Sequence, residues 1–289
     1  MKPNYQQFKN TVMEHYGEYG RHDLPWRLNQ SPYYVLVSEI MLQQTQVDRV
    51  IPFFEKWMEQ FPDIQTLATA KQSDVLRLWK GLGYNSRALR LQKCAQVTMN
   101  DYFGVIPQDY KKLLDLPGIG PYTAAALMNF AFNTWTPLIE TNIRRIFIHH
   151  FFKDDSQISD TDIMDMVESV GFCDEPKIWC SALMDYGSTL PKIIKHNPNI
   201  KSKHYTKQSK FEGSDRQIRG MILEILLEKK NGKMLQSLLF KKLYKLCHQK
   251  SLCHSILDPE SQNLRYKNII TKLITEGFII KEKKSIILK

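Results

Sequence analysis

Residues 113–126 read L-L-D-L-P-G-I-G-P-Y-T-A-A-A, and no other segment of the 289-residue chain constrains the fold as strongly. A helix that ends near Leu116 is followed by a turn with Gly118 and Gly120, and an alanine-rich helix begins at once. Glycines let a backbone turn tightly and approach a ligand, and the amides of such a turn face a phosphate oxygen. The segment predicts a tight helical hairpin, interpreted either as a phosphate-binding loop or as an ordinary corner between packed helices.

The rest of residues 1–190 also follows a helical pattern. Stretches such as 33–47 and 74–79 contain no proline and place apolar residues three and four positions apart. Short connections rich in proline and glycine separate these stretches, as at Pro62-Asp63 and Gly81-Leu82-Gly83. Because no long stretch alternates between apolar and polar residues, the sequence predicts a mostly α domain over residues 1–190.

The excess positive charge lies in the last third of the chain. The net charge of +10 is composed of −4 in residues 1–190, +5 in 191–212 and +9 in 213–289. The segment 191–212 reads as a lysine-rich connector. Residues 213–289 predict three helices, the second and third over 234–249 and 260–275, and then a β-hairpin with a charged turn at 281–284. This is the order of a winged helix-turn-helix, and its charge indicates a nucleic-acid partner, a protein-contact role or a solvated lysine face.

Three further motifs carry a resemblance to a known family. These are Leu24-Pro25-Trp26-Arg27, S-E-I-M-L-Q-Q-T-Q at 38–46, and Gly81-Leu82-Gly83-Tyr84. With the hairpin, their order and spacing over about residues 20–190 resemble the MutY-type adenine DNA glycosylases of the helix-hairpin-helix, endonuclease III-like superfamily. The resemblance implies a two-lobed helical fold that extrudes a base from DNA and hydrolyses its glycosidic bond.

The resemblance also implies the catalytic residues. Glu39 matches the family's catalytic acid, and its position mid-helix among apolar neighbours suits a carboxyl group with a raised pKa. Glu140 stands where the family has an Asp that stabilises the sugar cation, and Asn142 matches a residue that helps hold the catalytic centre. Tyr122 occupies the place of the lysine with which bifunctional relatives form a Schiff base, which implies a monofunctional enzyme.

A further set of residues is expected to contact DNA. In the family, a pair of glutamines and the tyrosine of the G-L-G-Y stretch wedge into the base stack, although Tyr84 could equally pack as a core aromatic. The connector lysines are hypothesised to contact phosphates. The predicted DNA-binding residues are Arg27, Leu42, Gln43, Gln44, Tyr84, Gly118, Gly120, Lys201 and Lys203.

The chain departs from the family in two places. Most relatives hold an iron–sulfur cluster with four cysteines, and here the matching positions are Pro191, Pro198, Lys201 and Lys207. No cofactor and no metal are therefore expected, with a zinc site from Cys173, Cys180, His196 and His204 as a remote alternative. Residues 213–289 also lack the pattern of the Nudix-like domain with which relatives recognise 8-oxoguanine.

These observations predict a mostly α, two-lobed helix-hairpin-helix glycosylase with a catalytic domain (1–190), a connector replacing the cluster loop (191–212) and a basic winged-helix-like domain (213–289). The predicted function is removal of adenine mispaired with 8-oxoguanine or guanine in base excision repair. The alternatives are a thymine or uracil glycosylase on the same scaffold, a DNA-binding protein with impaired catalysis, and an adaptor role for the C-terminal domain.

The expected partner is double-stranded DNA that contains a mismatched or damaged base pair. A monomer is expected. The five cysteines are scattered and odd in number, which favours reduced thiols, and neither a signal peptide nor a membrane-spanning stretch is visible. The predicted location is cytoplasmic and nucleoid-associated, without a membrane partner.

Overall fold

A computed structural model describes residues 4–206, 210–229, 231–249 and 259–289. The helices up to residue 194 are α1 (Tyr5–Tyr19), α2 (Pro25–Leu28), α3 (Pro32–Leu42), α4 (Val47–Gln60), α5 (Ile64–Thr69), α6 (Gln72–Trp79), α7 (Ser86–Tyr102), α8 (Tyr110–Leu114), α9 (Pro121–Phe130), α10 (Thr141–Phe151), α11 (Asp160–Val170) and α12 (Pro176–Ile194). Side-chain caps fix several helix starts: Ser31 accepts from an amide of α3, and Asp63 and Ser159 form capping boxes on α5 and α11. No helix within the described ranges is long and apolar enough to cross a membrane.

Two hydrophobic clusters divide these helices into two lobes. The first cluster lies among α2 to α9 and contains Trp57 and Trp79, whose rings meet edge to face at 5.5 Å. The second lies among α1, α10, α11 and α12 and contains Trp179 together with Phe8 from the N-terminal helix. Helix α9 contributes to both, since Ala124 belongs to the first cluster and Ala125 to the second. The predicted two-lobed, mostly helical fold is confirmed.

The connector follows α12, which continues to Ile194 and therefore passes the predicted domain boundary at residue 190. A short 3₁₀ helix (Pro198–Lys201) then packs against α10. The buried amide of Asn199 donates 2.9 Å to the carbonyl of Thr141, and Ser202 forms a parallel bridge with Ile158. This part of the connector is thus folded onto the second lobe, although its polar composition predicted only a linker.

The C-terminal domain combines three helices with a three-stranded antiparallel sheet. Its elements are α13 (Asp215–Leu227), β1 (Lys233–Leu235), α14 (Gln236–Gln249), α15 (Pro259–Thr275), β2 (Ile279–Glu282) and β3 (Ser285–Leu288). The strand order is β1-β3-β2, with Ile286 of β3 opposite Met234 and Lys281. The predicted hairpin is present, but residues 233–235 form a strand where the sequence predicted the start of a helix. The small sheet agrees with the winged-helix-like architecture.

The C-terminal domain lies against the first lobe. Its core side chains, including Leu273 and Phe278, belong to the same continuous hydrophobic cluster as α3 to α9. Gln72 at the start of α6 donates 3.1 Å to the carbonyl of Gly277, and Lys80 at the end of α6 forms a 2.7 Å ion pair with Glu224 of α13. Both ends of α6 therefore contact the C-terminal domain.

Candidate active site

A cleft of about 960 Å³ lies among α2, α3, α9, α10 and α12. Its walls include all four predicted catalytic residues and four of the predicted DNA-binding residues. These are Glu39, Tyr122, Glu140, Asn142, Arg27, Leu42, Gln43 and Gln44. The cleft therefore brings together residues such as Arg27 and Asn142 that are 115 positions apart in the sequence.

Glu39 is held in the cleft by the most apolar helix of the first lobe. This helix begins with Pro32 at its first position and with the Ser31 cap. Of the eight residues from Val35 to Leu42, six are apolar, and the other two are Ser38 and Glu39. Glu39 retains only 6% of its accessible surface. The pKa of Glu39 is raised from 4.5 to about 7: burial is the main cause, the charge of Glu140 adds to it, and the hydrogen bond from Tyr122 and the charge of Arg27 partly oppose it. Glu39 is therefore able to carry and deliver a proton at neutral pH.

Tyr122 reaches Glu39 because of the hairpin. Gly118 adopts a φ of +85°, which disfavours residues with a side chain. A Cβ atom there would also lie 2.8 Å from the Cβ of Arg90, so the close contact is a second reason for glycine. Gly120 and Pro121 then start α9, which directs Tyr122 into the cleft, where its hydroxyl is hydrogen-bonded to Glu39. Gly120 has an ordinary φ of −99° and open space at its Cβ position, so geometry alone does not demand glycine there. Neither glycine lines the cleft.

Glu140 caps α10 with its own side chain. One carboxylate oxygen accepts from the amides of Asn142 and Ile143 at 2.6 and 2.9 Å. Burial raises the pKa of Glu140, whereas these two amides and the charge of Arg145 favour its ionised form. This cap holds a second carboxyl group among the residues that line the cleft.

Asn142 is itself positioned by two residues that sequence reasoning missed. Arg145 donates 2.8 Å to the side-chain oxygen of Asn142 and also donates to the carbonyl of Gly187 in α12. A Cβ atom on Gly187 would lie 2.4 Å from the Asn142 carbonyl, so only glycine lets α12 approach this closely. Asn197 of the connector accepts from the Arg145 Nε at 3.3 Å. No local pattern marks these contacts.

Arg27 lines the cleft, but its guanidinium is hydrogen-bonded to other groups of the protein. It donates to both oxygens of Asp185, at 2.7 and 3.1 Å, and Arg21 donates to the same carboxylate. The side chain of Asp185 is 2% exposed, and the two arginines keep its pKa low in spite of burial. Arg27 thus presents a fixed charge near Glu39, and Asp185 is a further site residue that the sequence did not reveal.

The predicted wedge residues lie on two neighbouring loops. Helix α3 ends at Leu42 and is followed by Gln43 and Gln44. The G-L-G-Y loop ends at Tyr84, shortly before α7. Gln44 and Tyr84 both have left-handed backbones, with φ of 55° and 47°. The buried Arg87 joins the loops, because its guanidinium donates to the carbonyls of Gln43 and Gly83 at 2.6 and 3.1 Å. Tyr84 is half-buried beside the cleft and does not line it.

Lys201 and Lys203 differ in their surroundings. The ammonium of Lys201 donates to the carbonyls of Phe152 and Lys153 at the end of α10, whereas the side chain of Lys203 is exposed near Asp162. The residues at the family's cluster positions do not fit an iron–sulfur cluster: Pro191 and Pro198 offer no thiolate, Lys201 caps a helix, and Lys207 lies outside the described residues. Within the described ranges, no group of three His, Cys, Asp or Glu side chains is placed to hold a metal.

The described cysteines are Cys94, Cys173, Cys180 and Cys247, and all four are free thiols, while Cys253 lies outside the described residues. Cys180 is buried behind the cleft, and burial together with the nearby Glu39 raises its pKa far above the ordinary value. The four thiols are consistent with the reduced state that the sequence favoured.

Comparison with known proteins places this geometry in a family. Residues 37–172 match the model of the HhH-GPD superfamily of base excision DNA repair proteins. An adenine DNA glycosylase of Mycolicibacterium smegmatis is 36% identical over 225 residues, which cover 72% of this chain and 77% of that protein. An adenine DNA glycosylase of Buchnera aphidicola is 35% identical over 192 residues, covering 66% of this chain and 54% of that protein.

The chain thus spans about half the length of the Buchnera relatives that it matches. Among solved structures, a thermostable thymine-DNA glycosylase superposes with a TM-score of 0.58 at 26% identity, over 64% of this chain and 86% of that chain. Because the mycobacterial relative is matched over more than two thirds of its length, the chain belongs to the adenine DNA glycosylase family of the HhH-GPD base excision repair superfamily.

Proposed function

We propose that this protein is a monofunctional DNA glycosylase that removes adenine mispaired with 8-oxoguanine or guanine. The observation that carries the proposal is the pair of carboxyl groups in one cleft, with the buried Glu39 able to hold a proton near pH 7 and the half-buried Glu140 fixed at a helix N-terminus. Two carboxyl groups with different surroundings suit an acid and a cation stabiliser. The names of the matched relatives support adenine as the base.

The proposed reaction begins with extrusion of adenine into the cleft. Protonated Glu39 donates its proton to a ring nitrogen of the base, and the electron pair of the glycosidic bond leaves with adenine. The carboxylate of Glu140 stabilises the resulting sugar cation. A water oxygen then bonds to the sugar carbon and its proton is released, which gives free adenine and an abasic site. Tyr122 holds Glu39 in place and, lacking an amine, forms no Schiff base with the sugar.

The same proposal includes double-stranded DNA as the partner and the chain as a monomer acting on chromosomal DNA. The side chains of the α15 face that points away from the core are mostly polar or basic, and the β-hairpin carries three more lysines, one in β2 and two in the turn. The exposed residues of these two regions include Asn263, Leu264, Lys267, Asn268, Thr271, Lys272, Thr275, Lys281, Lys283 and Lys284, together with the acidic Glu260 and Glu282. In a winged helix these two regions contact the groove and the backbone of DNA.

The activity is tested with duplexes that contain adenine opposite 8-oxoguanine, adenine opposite guanine, thymine opposite guanine and uracil opposite guanine. We expect strand breaks at the first two only, and only after alkali has cleaved the abasic sites. Cleavage without alkali would refute the monofunctional assignment, and no cleavage of any duplex would refute the enzyme. Preference for thymine or uracil would favour the alternative that the 26%-identical thymine-DNA glycosylase suggests.

The role of the acid is tested by Glu39→Gln, which keeps the shape of the side chain but removes its dissociable proton. We expect loss of excision with retained binding to the adenine-containing duplex. Glu59→Gln is the matched control, since Glu59 is exposed on α4 and lies outside the cleft. Excision by Glu39→Gln at the wild-type rate would remove Glu39 from the role of acid.

A further inference from the structure

One side chain of the C-terminal domain contacts the predicted wedge directly. Arg216, in the first turn of α13, lies with its guanidinium carbon 5.3 Å from the ring centroid of Tyr84, and it donates a hydrogen bond to the Tyr84 hydroxyl. A guanidinium over a phenol ring combines cation–π attraction with planar stacking. The contact joins residues 132 positions apart and belongs to the fold of the whole chain.

The loop that carries Tyr84 needs such support. Gly81, Gly83 and Tyr84 all have left-handed backbones, with φ of 110°, 79° and 47°, and the last of these is unfavourable for a residue with a side chain. From within the first lobe, the guanidinium of Arg87 lies 5.5 Å from the same ring centroid. The Tyr84 ring is therefore held by two arginines, one from each side of the boundary between the first lobe and the C-terminal domain.

Other contacts cross the same boundary near the loop. The ion pair of Lys80 with Glu224 lies immediately before the loop, and the bond from Gln72 to Gly277 lies at the other end of α6. Arg216 contacts the loop at its last residue. The C-terminal domain thus contacts both ends of α6 and the residue that is the predicted wedge.

We propose that Arg216 is a positioning residue that holds Tyr84 ready for insertion into the base stack, so that the C-terminal domain takes part in base extrusion. This inference rests on the proposed function, because it gives Tyr84 the role of wedge. It adds that the C-terminal domain acts through a specific side chain and does not contribute positive charge alone. The chemistry expected of Arg216 is to orient an aromatic ring, whereas a phosphate contact would act on DNA directly.

A double-mutant cycle separates these roles. The four proteins are the full-length wild type, Arg216→Ala, Tyr84→Ala and the double variant, and the probe is a duplex with a tetrahydrofuran abasic analogue opposite 8-oxoguanine. Dissociation constants are measured by fluorescence anisotropy across a range of salt concentrations. We expect Arg216→Ala to weaken binding about tenfold in the wild-type background and to have no further effect when Tyr84 is already Ala. The salt dependence of binding should stay unchanged, because no phosphate contact is lost.

Equal weakening in both backgrounds, or a smaller salt slope, would overturn the proposal and assign Arg216 to phosphate binding. No effect in either background would overturn it as well. Arg216→Lys keeps the charge but not the planar fork, and we expect it to recover only part of the affinity. Glu224→Gln, which breaks the ion pair at the same boundary without reaching Tyr84, is the matched control and should bind like the wild type.

A measurement without DNA keeps the test independent of enzymatic activity and of gross unfolding. With 3-fluorotyrosine incorporated, the fluorine resonance assigned through Tyr84→Phe should shift in Arg216→Ala while the other tyrosine resonances stay in place. An unshifted resonance, or shifts throughout the spectrum, would contradict a local positioning role. Excision of adenine by the wild type is measured in parallel. If excision is absent but the effects of Arg216→Ala and Tyr84→Ala on binding are not additive, the proposed function alone is refuted. If excision is present but the two effects on binding are additive, the positioning role alone is refuted.

Discussion

The guanidinium of Arg87 donates a hydrogen bond of 2.6 Å to the backbone carbonyl of Gln43. Further bonds from the same group reach the carbonyls of Ile40, Met41 and Gly83. A buried cation therefore occupies the negative end of α3, the helix that carries Glu39, and links it to the loop that carries Tyr84. The acid and the wedge are held in one framework although the sequence separates them by 45 positions.

Replacing Arg87 by Met should destabilise the fold and the site together. The substitution keeps an unbranched side chain but leaves two buried and two partly buried carbonyls without their donor, which costs about 3 kcal/mol in the free energy of unfolding. Urea denaturation monitored by circular dichroism measures this cost. Arg77→Met is the matched control, because Arg77 forms only an exposed ion pair on α6 and its loss should cost less than about 1 kcal/mol. A similar cost for both variants would contradict the bridging role of Arg87.

Excision should decline as the pH rises above neutrality. Glu39 must be protonated to act as an acid, and burial raises its pKa to about 7, so the reactive form predominates below that value. Single-turnover rates measured from about pH 5 to about pH 9 should show a descending limb near pH 7. Rates that fall across the whole range, as an acid with the ordinary carboxyl pKa of 4.5 would produce, would contradict the raised pKa of Glu39.

Glu39→Gln should also change how stability depends on pH. The pKa of Glu39 is higher in the folded than in the unfolded chain, so its stabilising effect is complete below about pH 4.5 and is lost as the pH rises to about 7. Above that range the wild type must bury a charge that Gln lacks. We expect the variant to have the higher Tm at alkaline pH and the two proteins to converge under acidic conditions, as measured by calorimetry. A pH-independent difference in Tm would contradict the raised pKa.

Glu140 provides a direct comparison of two carboxylates at one position. Glu140→Asp retracts the carboxylate by roughly 1 Å from the place where the present site holds it, and we expect the single-turnover rate to fall about ten- to a hundredfold. Glu140→Ala removes both the charge and the helix cap, and should cost about 1 kcal/mol of stability in addition to a larger loss of rate. A faster Asp variant would indicate that the cleft is built for the shorter side chain.

Two lysines of the connector should separate structural from electrostatic roles. Lys201→Ala removes a donor from the carbonyl end of α10 and should lower stability by about 1 kcal/mol without altering the salt dependence of DNA binding. Lys203→Ala should leave stability unchanged and reduce the slope of log affinity against log salt by about one. Thermal melts and anisotropy titrations measure the two effects, and a reversal of this pattern would contradict the assignment.

Local sequence patterns predicted the parts of the site that local structure builds. The hairpin at Gly118 and the mid-helix position of Glu39 each depend on a few consecutive residues. By contrast, Asp185 contacts Arg27 across 158 positions and Gly187 meets Asn142 through a close approach of two helices, so no periodicity marked either residue.

The same distinction explains the differences in the fold. Strand β1 has three residues and exists because β3 pairs with it about 50 positions later, so its pattern could not be told from the start of α14. The connector is ordered by bonds such as the one from Asn199 to Thr141, which its polar composition concealed. The charge of Lys201 likewise gave no sign that its ammonium donates to the carbonyls of Phe152 and Lys153.

The chain leaves the first lobe after α9, builds the second lobe, and returns to the first lobe through the C-terminal domain. Core residues from Leu24 to Met128 and from Ile218 to Ile286 therefore share one continuous core, although helices of the second lobe separate them in the sequence. A protease cut in the connector would leave the two fragments associated until a denaturant separates them. Removing residues 213–289 would deprive Gln72, Lys80 and Tyr84 of the partners described above. The role of the basic domain is therefore better tested by charge substitutions in the intact chain than by its removal.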